Sequence, residues 1–203
     1  MINSHCTNTQ SGSIPHTPLP SLRPGTVLFL DFDGVLHRPP YWTEVGLPAL
    51  DPEIPDHQLF ERLHLLEPVI DELPIQVVLS TTWVPTASIW LPSTPPDAFA
   101  NPHPWGYTLV PLLGRAGKCV VGSTFEIEFG DGWKDMTRFE QIETFAARHQ
   151  VDEWVALDDD ARGWPKLRQH NLVKVDPDAA LTKSDAHELR QRLHTLLAVG
   201  VPV

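Results

Sequence analysis

Cysteine is almost missing from the 203-residue chain: Cys6 and Cys119 are its two, and no CxxC pair occurs. That argues against a disulfide framework and for a reducing, cytoplasmic setting. Long apolar runs are missing too, so no membrane-spanning helix is expected. The amino terminus has neither the basic start nor the apolar core of a signal peptide. Positive charge is scarce: 15 Lys and Arg face 26 Asp and Glu, a formal net charge of -11. A balance of that sign argues against a broad nucleic-acid-binding face and against an anionic membrane surface, and leaves room for a local basic groove. No internal repeat is visible.

Apolar residues, by contrast, make up 41% of the chain, enough at this length for one α/β domain with a substantial core. Residues 1–25 are polar and carry Pro15, Pro18, Pro20 and Pro24, the composition of a flexible tail. Residues 26–203 are then the single domain.

Within it, the stretch from Val27 to Leu36 is the most informative. Val27 to Leu30 is apolar on both faces, as in a strand from the middle of a parallel sheet. Asp31 and Asp33 follow at its carboxyl end, where open α/β sheets place their ligand sites. Gly34 permits a sharp turn and a close backbone approach. Two carboxylates this close repel each other unless a cation or a proton compensates them. A calcium loop also opens with Asp-x-Asp-Gly, but it needs an oxygen ligand at its fifth position and a glutamate at its twelfth. Val35 and Trp42 stand there, and the calcium-loop reading fails.

Strands and helices then alternate. Residues 37–55 are proline-rich and form a loop or flap beside the carboxylates. Asp56 is a candidate cap for a helix with Leu59, Leu63, Leu66 and Ile70 on its apolar face; Pro68 should kink or split it and Pro74 end it. Ile75 to Leu79 is a second buried strand, Trp154 to Leu157 a third and Leu172 to Val175 a fourth, with a short strand over Lys118 to Val121. Asp135 to His149 is a helix with Phe139, Ile142, Phe145 and Ala146 on one face. A closing helix over Asp185 to Ala198 takes Thr182 or Ser184 as its cap. Residues 83–133 make an irregular, Pro- and aromatic-rich insertion, at most a small irregular cap over the domain. The alternation predicts an α/β fold: a three-layer, doubly wound parallel sheet.

The other chemical residues fall at the ends of these strands. Ser80-Thr81-Thr82 ends the second strand, with hydroxyls suited to phosphate oxygens. Asp158-Asp159-Asp160 ends the third, an acidic cluster with little purpose there unless a cation is near. Lys134 opens the helix that precedes it, where a lysine opposes the helix dipole, so stability alone does not explain it. Near a phosphate it supplies a point charge. Lys118 and Lys166 compete with it for that role, as Thr81 and Thr82 do with Ser80. His37 is expected to be a solvated loop histidine. Tryptophans pack in cores or loops by default; Trp42, Trp83 and Trp105 lie in segments that border the site, where stacking on a base or sugar is the alternative.

Taken in order, Asp31-Phe32-Asp33-Gly34-Val35-Leu36, Leu79-Ser80-Thr81, Lys134 and Leu157-Asp158-Asp159 resemble the four-motif signature of the haloacid dehalogenase (HAD) superfamily. Thr81-Thr82-Trp83, Trp154 and Asp176-Pro177-Asp178 are further similar to the HAD-like domain of Swiss Army Knife RNA repair proteins. The resemblance implies a HAD-like Rossmannoid fold and a Mg²⁺-dependent phosphatase working through an aspartyl-phosphate. It implies Asp31 as nucleophile and Asp33 as the acid that protonates the leaving oxygen, then the base for water. Mg²⁺ would sit on the Asp31 carboxylate, the Asp33 backbone carbonyl and Asp159, with Asp158 as a further ligand or just behind it. Ser80, with Thr81, would hold the phosphoryl oxygens, and Lys134 would neutralise charge on them and on the nucleophile. The dehalogenases lack the second acid, so Asp33 favours phosphoryl transfer. A nearly capless site in this family goes with large substrates such as polynucleotide ends or phosphoproteins, while the acidic composition pulls against nucleic acid. The expected partner is a phosphorylated substrate, small molecule or macromolecular end. The alternatives are a polynucleotide-end phosphatase of RNA repair and a catalytically silent binding or regulatory module on the same fold.

Overall fold

The computed structural model describes residues 22, 25–39, 41–42, 48–49, 58–84, 110–125 and 132–199. Nearly all of the expected tail, most of the flap, the expected cap Asp56, and Trp105 with residues 85–109 of the insertion lie outside that set. In chain order the elements are β1 (Val27–Leu30), β2 (Tyr41–Trp42), β3 (Pro48–Ala49), α1 (Leu63–Glu72), β4 (Gln76–Leu79), β5 (Val120–Ser123), α2 (Gly132–Asp135), α3 (Arg138–His149), β6 (Trp154–Asp158), β7 (Leu172–Lys174) and α4 (Lys183–Val199).

Five strands form one parallel sheet in the order β5-β4-β1-β6-β7, and β2 and β3 make a separate two-residue antiparallel ladder. Being central, β1 is buried on both faces, and its side chains alternate between two cores. Leu28 and Leu30 pack with Leu66, Val69 and Ile70 of α1 and with Leu189 and Leu193 of α4. Val27 and Phe29 pack with Ile142, Phe145 and Ala146 of α3. Phe29 meets Phe145 and Trp154 edge-on, each at 5.6 Å between ring centres; burying one such ring is worth roughly 2–3 kcal/mol. The three-layer α/β fold expected from the alternation of elements is therefore present.

Several boundaries differ from expectation. α1 starts at Leu63, and Leu59 lies in the turn before it, partly exposed. Pro68 lies inside α1 and does not split it into two elements. It is exposed, so the bond its missing N–H would make to the preceding turn is forgone at the solvent face. Lys118 and Cys119 close a tight 3-10 turn, Ala116–Cys119, and the strand begins only at Val120. The helix expected from Asp135 is broken at Met136–Thr137 into α2 and α3. Thr137 caps α3 reciprocally: its Oγ1 accepts from the Glu140 N–H at 3.3 Å, and the Glu140 carboxylate accepts from the Thr137 N–H at 2.7 Å. Thr182 caps α4 in the same way with Asp185. None of the described helices is long and apolar enough to cross a membrane.

Candidate functional site

The sheet's strand order reverses about β1, the place where open α/β sheets leave a crevice at their carboxyl ends. Backbone bonds continue the ladder past the strand ends. The Asp31 N–H donates to the Leu157 carbonyl at 3.1 Å, and the Ser80 N–H to the Leu30 carbonyl at 2.8 Å. Asp31, Ser80 and Asp158 are thus set side by side by the sheet itself. Oxygens of Asp31, Asp158 and Asp159 lie within 4.8 Å of one another.

Such crowding has an electrostatic cost. Asp31 is buried, and burial, opposed by Arg138, raises its carboxyl from 3.8 to about 6. Burial also pushes Asp158 well above the usual carboxylate range, with Asp31 adding repulsion, and raises Asp159 more mildly. Arg138, the first residue of α3, answers part of this charge. Its Nη2 lies 3.3 Å from Asp31 Oδ1 and its Nε 3.0 Å from Asp158 Oδ2. One guanidinium against three carboxylates leaves negative charge over. Asp158 Oδ2 is buried and, among the described residues, accepts no hydrogen bond beyond that ion pair. An all-oxygen carboxylate set with an excess of negative charge fits a hard divalent cation.

Around this centre the expected residues fall in different states. Ser80 is fully buried and its Oγ has no hydrogen-bond partner among the described residues. Thr81 Oγ1 accepts from the Trp83 N–H at 3.3 Å, and Thr82 is exposed. Of the three hydroxyls, Ser80 Oγ is the buried one without a partner among the described residues, while Thr81 keeps its O–H to donate and Thr82 faces solvent. Asp33 stays partly exposed and lies near enough to raise Asp31. His37 departs from expectation: it is fully buried, with Nε2 at 3.1 Å from Asp33 Oδ1. Its neighbours Phe60 and Trp83, brought in from later in the chain, shut out the solvent that its proline-rich surroundings suggested. Trp83 is buried in the core as expected, and its Nε1–H also donates to Asp33 Oδ1, at 2.9 Å.

Lys134 is exposed on α2 and lines a cleft of about 200 Å³ with Thr82, Thr137, Arg138, Asp160 and Arg162. The ion pairs to Asp31 and Asp158 come from Arg138, which the motif spacing did not single out. Lys118 precedes β5 and so lies toward the opposite, amino-terminal edge of the sheet; Lys166 is exposed before β7.

Gly34 turns the chain after the carboxylates with φ of +72°. A Cβ there would stand 2.6 Å from Asp159 Oδ2 and 3.0 Å from Pro177 Cβ. Asp159 thus packs on the bare backbone of Gly34, and Pro177 lies close to the same glycine. Gly34→Ala is expected to cost about 1–2 kcal/mol from the left-handed backbone alone. If the carboxylate cluster holds a divalent cation, the substitution should also weaken cation binding in a calorimetric titration by displacing Asp159. An unchanged affinity would remove Asp159 from the cation site.

A parallel sheet with an Asp-x-Asp-Gly turn on its central strand and a second acidic pair on the adjacent strand defines the HAD type of α/β domain. The chain belongs to the family described as the HAD domain in Swiss Army Knife RNA repair proteins, whose model matches residues 27–186. No curated protein and no solved structure matches it.

Proposed function

We propose that the protein is a Mg²⁺-dependent phosphatase that works through an aspartyl-phosphate. The observation that carries this is the meeting of Asp31, Asp158 and Asp159 beside Arg138, with Asp33 two residues beyond Asp31. Asp31 would attack phosphorus in line through a carboxylate oxygen, and the bond from phosphorus to the leaving oxygen would break. The Asp33 carboxyl would give its proton to that oxygen. Water would then attack the phosphorus of the acyl phosphate, handing a proton to the Asp33 carboxylate, and phosphate would leave with Asp31 restored. Ser80 Oγ, lacking a described partner, would donate to a phosphoryl oxygen, with Thr81 beside it. Asp31, Asp158 and Asp159, with the Asp33 backbone carbonyl implied by the family resemblance, would hold Mg²⁺. When bound, the cation supplies the positive charge that offsets repulsion between carboxylate and phosphate. Charge neutralisation at the nucleophile, expected of Lys134, falls in this proposal to Arg138, and Lys134 is left to the substrate side.

A second reading concerns the substrate. The cleft beside Arg138 gathers Lys134 and Arg162, the latter paired with Asp160 of the same cleft, in a protein whose net charge is -11. Local cationic donors of this kind favour a substrate with further phosphates, and the family's description places such domains in RNA repair proteins. A polynucleotide-end phosphatase is the reading this favours. The test is a phosphate-release screen with and without Mg²⁺ over aryl phosphates, nucleotides, phosphopeptides and 3′- or 5′-phosphorylated oligonucleotides. Metal-dependent release is expected, fastest from an oligonucleotide end under the second reading. No release from any substrate by folded protein would favour a silent binding module.

A further inference from the structure

Asp33 is held in a way that the four motifs do not describe. Its Oδ1 receives two N–H groups, from His37 Nε2 at 3.1 Å and from Trp83 Nε1 at 2.9 Å. The direction of the first bond is set from behind. The Phe60 backbone N–H points at His37 Nδ1 at 3.4 Å, which makes Nδ1 the acceptor and leaves Nε2 to carry the hydrogen. Phe60 itself sits in the left-handed backbone region at φ of 59°, unusual for a bulky residue. Its ring meets His37 at 5.2 Å, Trp83 at 5.7 Å and Phe32 at 5.3 Å. Four rings, Phe32, His37, Phe60 and Trp83, therefore lock both donors in place. His37 is fully buried, while the Asp33 side chain remains 23% exposed.

We propose that His37 and Trp83 form a clamp that ties down Oδ1 of Asp33 and so assigns the acid–base work to Oδ2, making both positioning residues for proton transfer. An oxygen facing two N–H donors accepts; it has no room for a proton of its own without setting donor against donor. Asp33 Oδ2 receives no hydrogen bond from a described residue and is the oxygen free to carry and deliver a proton. The clamp also fixes the carboxyl rotamer. A general acid acts only within hydrogen-bond reach of the atom it protonates, so a swivelling carboxyl loses much of its effect. This inference rests on the phosphatase reading, in which Asp33 is the acid and base.

Trp83→Phe separates the two ideas because it removes one N–H and keeps the ring. Protonation matters most for a poor leaving group, so phenyl phosphate is compared with 4-nitrophenyl phosphate through kcat/KM, which reports steps up to departure of the alcohol. The expected result is a loss of about 10-fold for phenyl phosphate, a far smaller loss for 4-nitrophenyl phosphate, and similar KM values. His37→Gln, which keeps an N–H near the Nε2 position, should retain more phenyl phosphatase activity than His37→Ala. Equal losses on the two substrates, or none, would overturn the clamp. Should the wild-type protein hydrolyse neither ester, the phosphatase reading is judged by the wider substrate screen and the clamp by NMR. The Trp83 indole N–H resonance is expected to move on Asp33→Asn, and His37 to carry its hydrogen on Nε2. An unmoved indole resonance, or a hydrogen on Nδ1, would overturn it independently of turnover.

Discussion

Asp31→Asn is expected to lower phosphate release at least about 1000-fold and, in metal-free protein, to raise the melting temperature. The first effect follows from the proposed chemistry, since an amide does not attack phosphorus. The second comes from the fold. Burial is the largest influence on Asp31 and lifts its carboxyl from 3.8 to about 6, more than Arg138 offsets. Between those values the folded protein holds a proton that the unfolded chain has released. Stability contributed by this group therefore falls as pH rises through that window, and its cost is complete above it. Asparagine has no such titration, so the variant's advantage should be greatest above about pH 7 and vanish toward pH 4. Mg²⁺ should reverse the order, stabilising wild type more than the variant by mass action. Thermal denaturation against pH, with and without the cation, reads all three effects. Equal Mg²⁺ stabilisation of both proteins would remove Asp31 from the cation site, and wild-type turnover would end the aspartyl-phosphate mechanism.

How far the sequence carried depended on whether the deciding interactions were local. β1 was legible because a strand buried on both faces must be apolar throughout, and two carboxylates at its end have few structural uses. Asp158 and Asp159 were legible for the same reason. The cation facing them was not. Read as one element from Asp135, the helix sets Lys134 at its dipole-opposed start. The break at Met136–Thr137 moves the true start of α3, and the same argument then lands on Arg138. A signal was present: Thr137 followed three residues later by Glu140 is a capping-box pattern. His37 is the opposite case. Its neighbours in sequence say loop, while its burial is created by Phe60 and Trp83, which only the folded chain brings together. The tight turn that displaces the start of β5 left no comparable trace.

Arg138→Met should have the largest effect on stability of any substitution at the site. The side chain keeps most of its length but leaves Asp31 and Asp158 buried without their cation. Removing one partner of a buried ion pair typically costs about 3–5 kcal/mol, which for a domain of this size corresponds to a fall of roughly 10 °C in melting temperature. The loss should grow with pH, because protonation of the two carboxyls relieves it at the acid end and that relief disappears as they ionise. Arg138→Lys should recover part of the stability, since it restores a charge but not the fork that reaches Asp31 and Asp158 together. Mg²⁺ tests whether Arg138 is only a counter-ion. The cation should recover much of the lost melting temperature in Arg138→Met, because it supplies positive charge to the same carboxylates. Turnover should stay down about 100-fold or more even at saturating Mg²⁺, since the guanidinium paired with Asp31, which neutralises the nucleophile in the proposed mechanism, is still missing. Full recovery of both would reduce Arg138 to a counter-ion. Undiminished stability without the cation would mean that the carboxylates meet their charge elsewhere, and the reading of Arg138 as the cation of this site would fall.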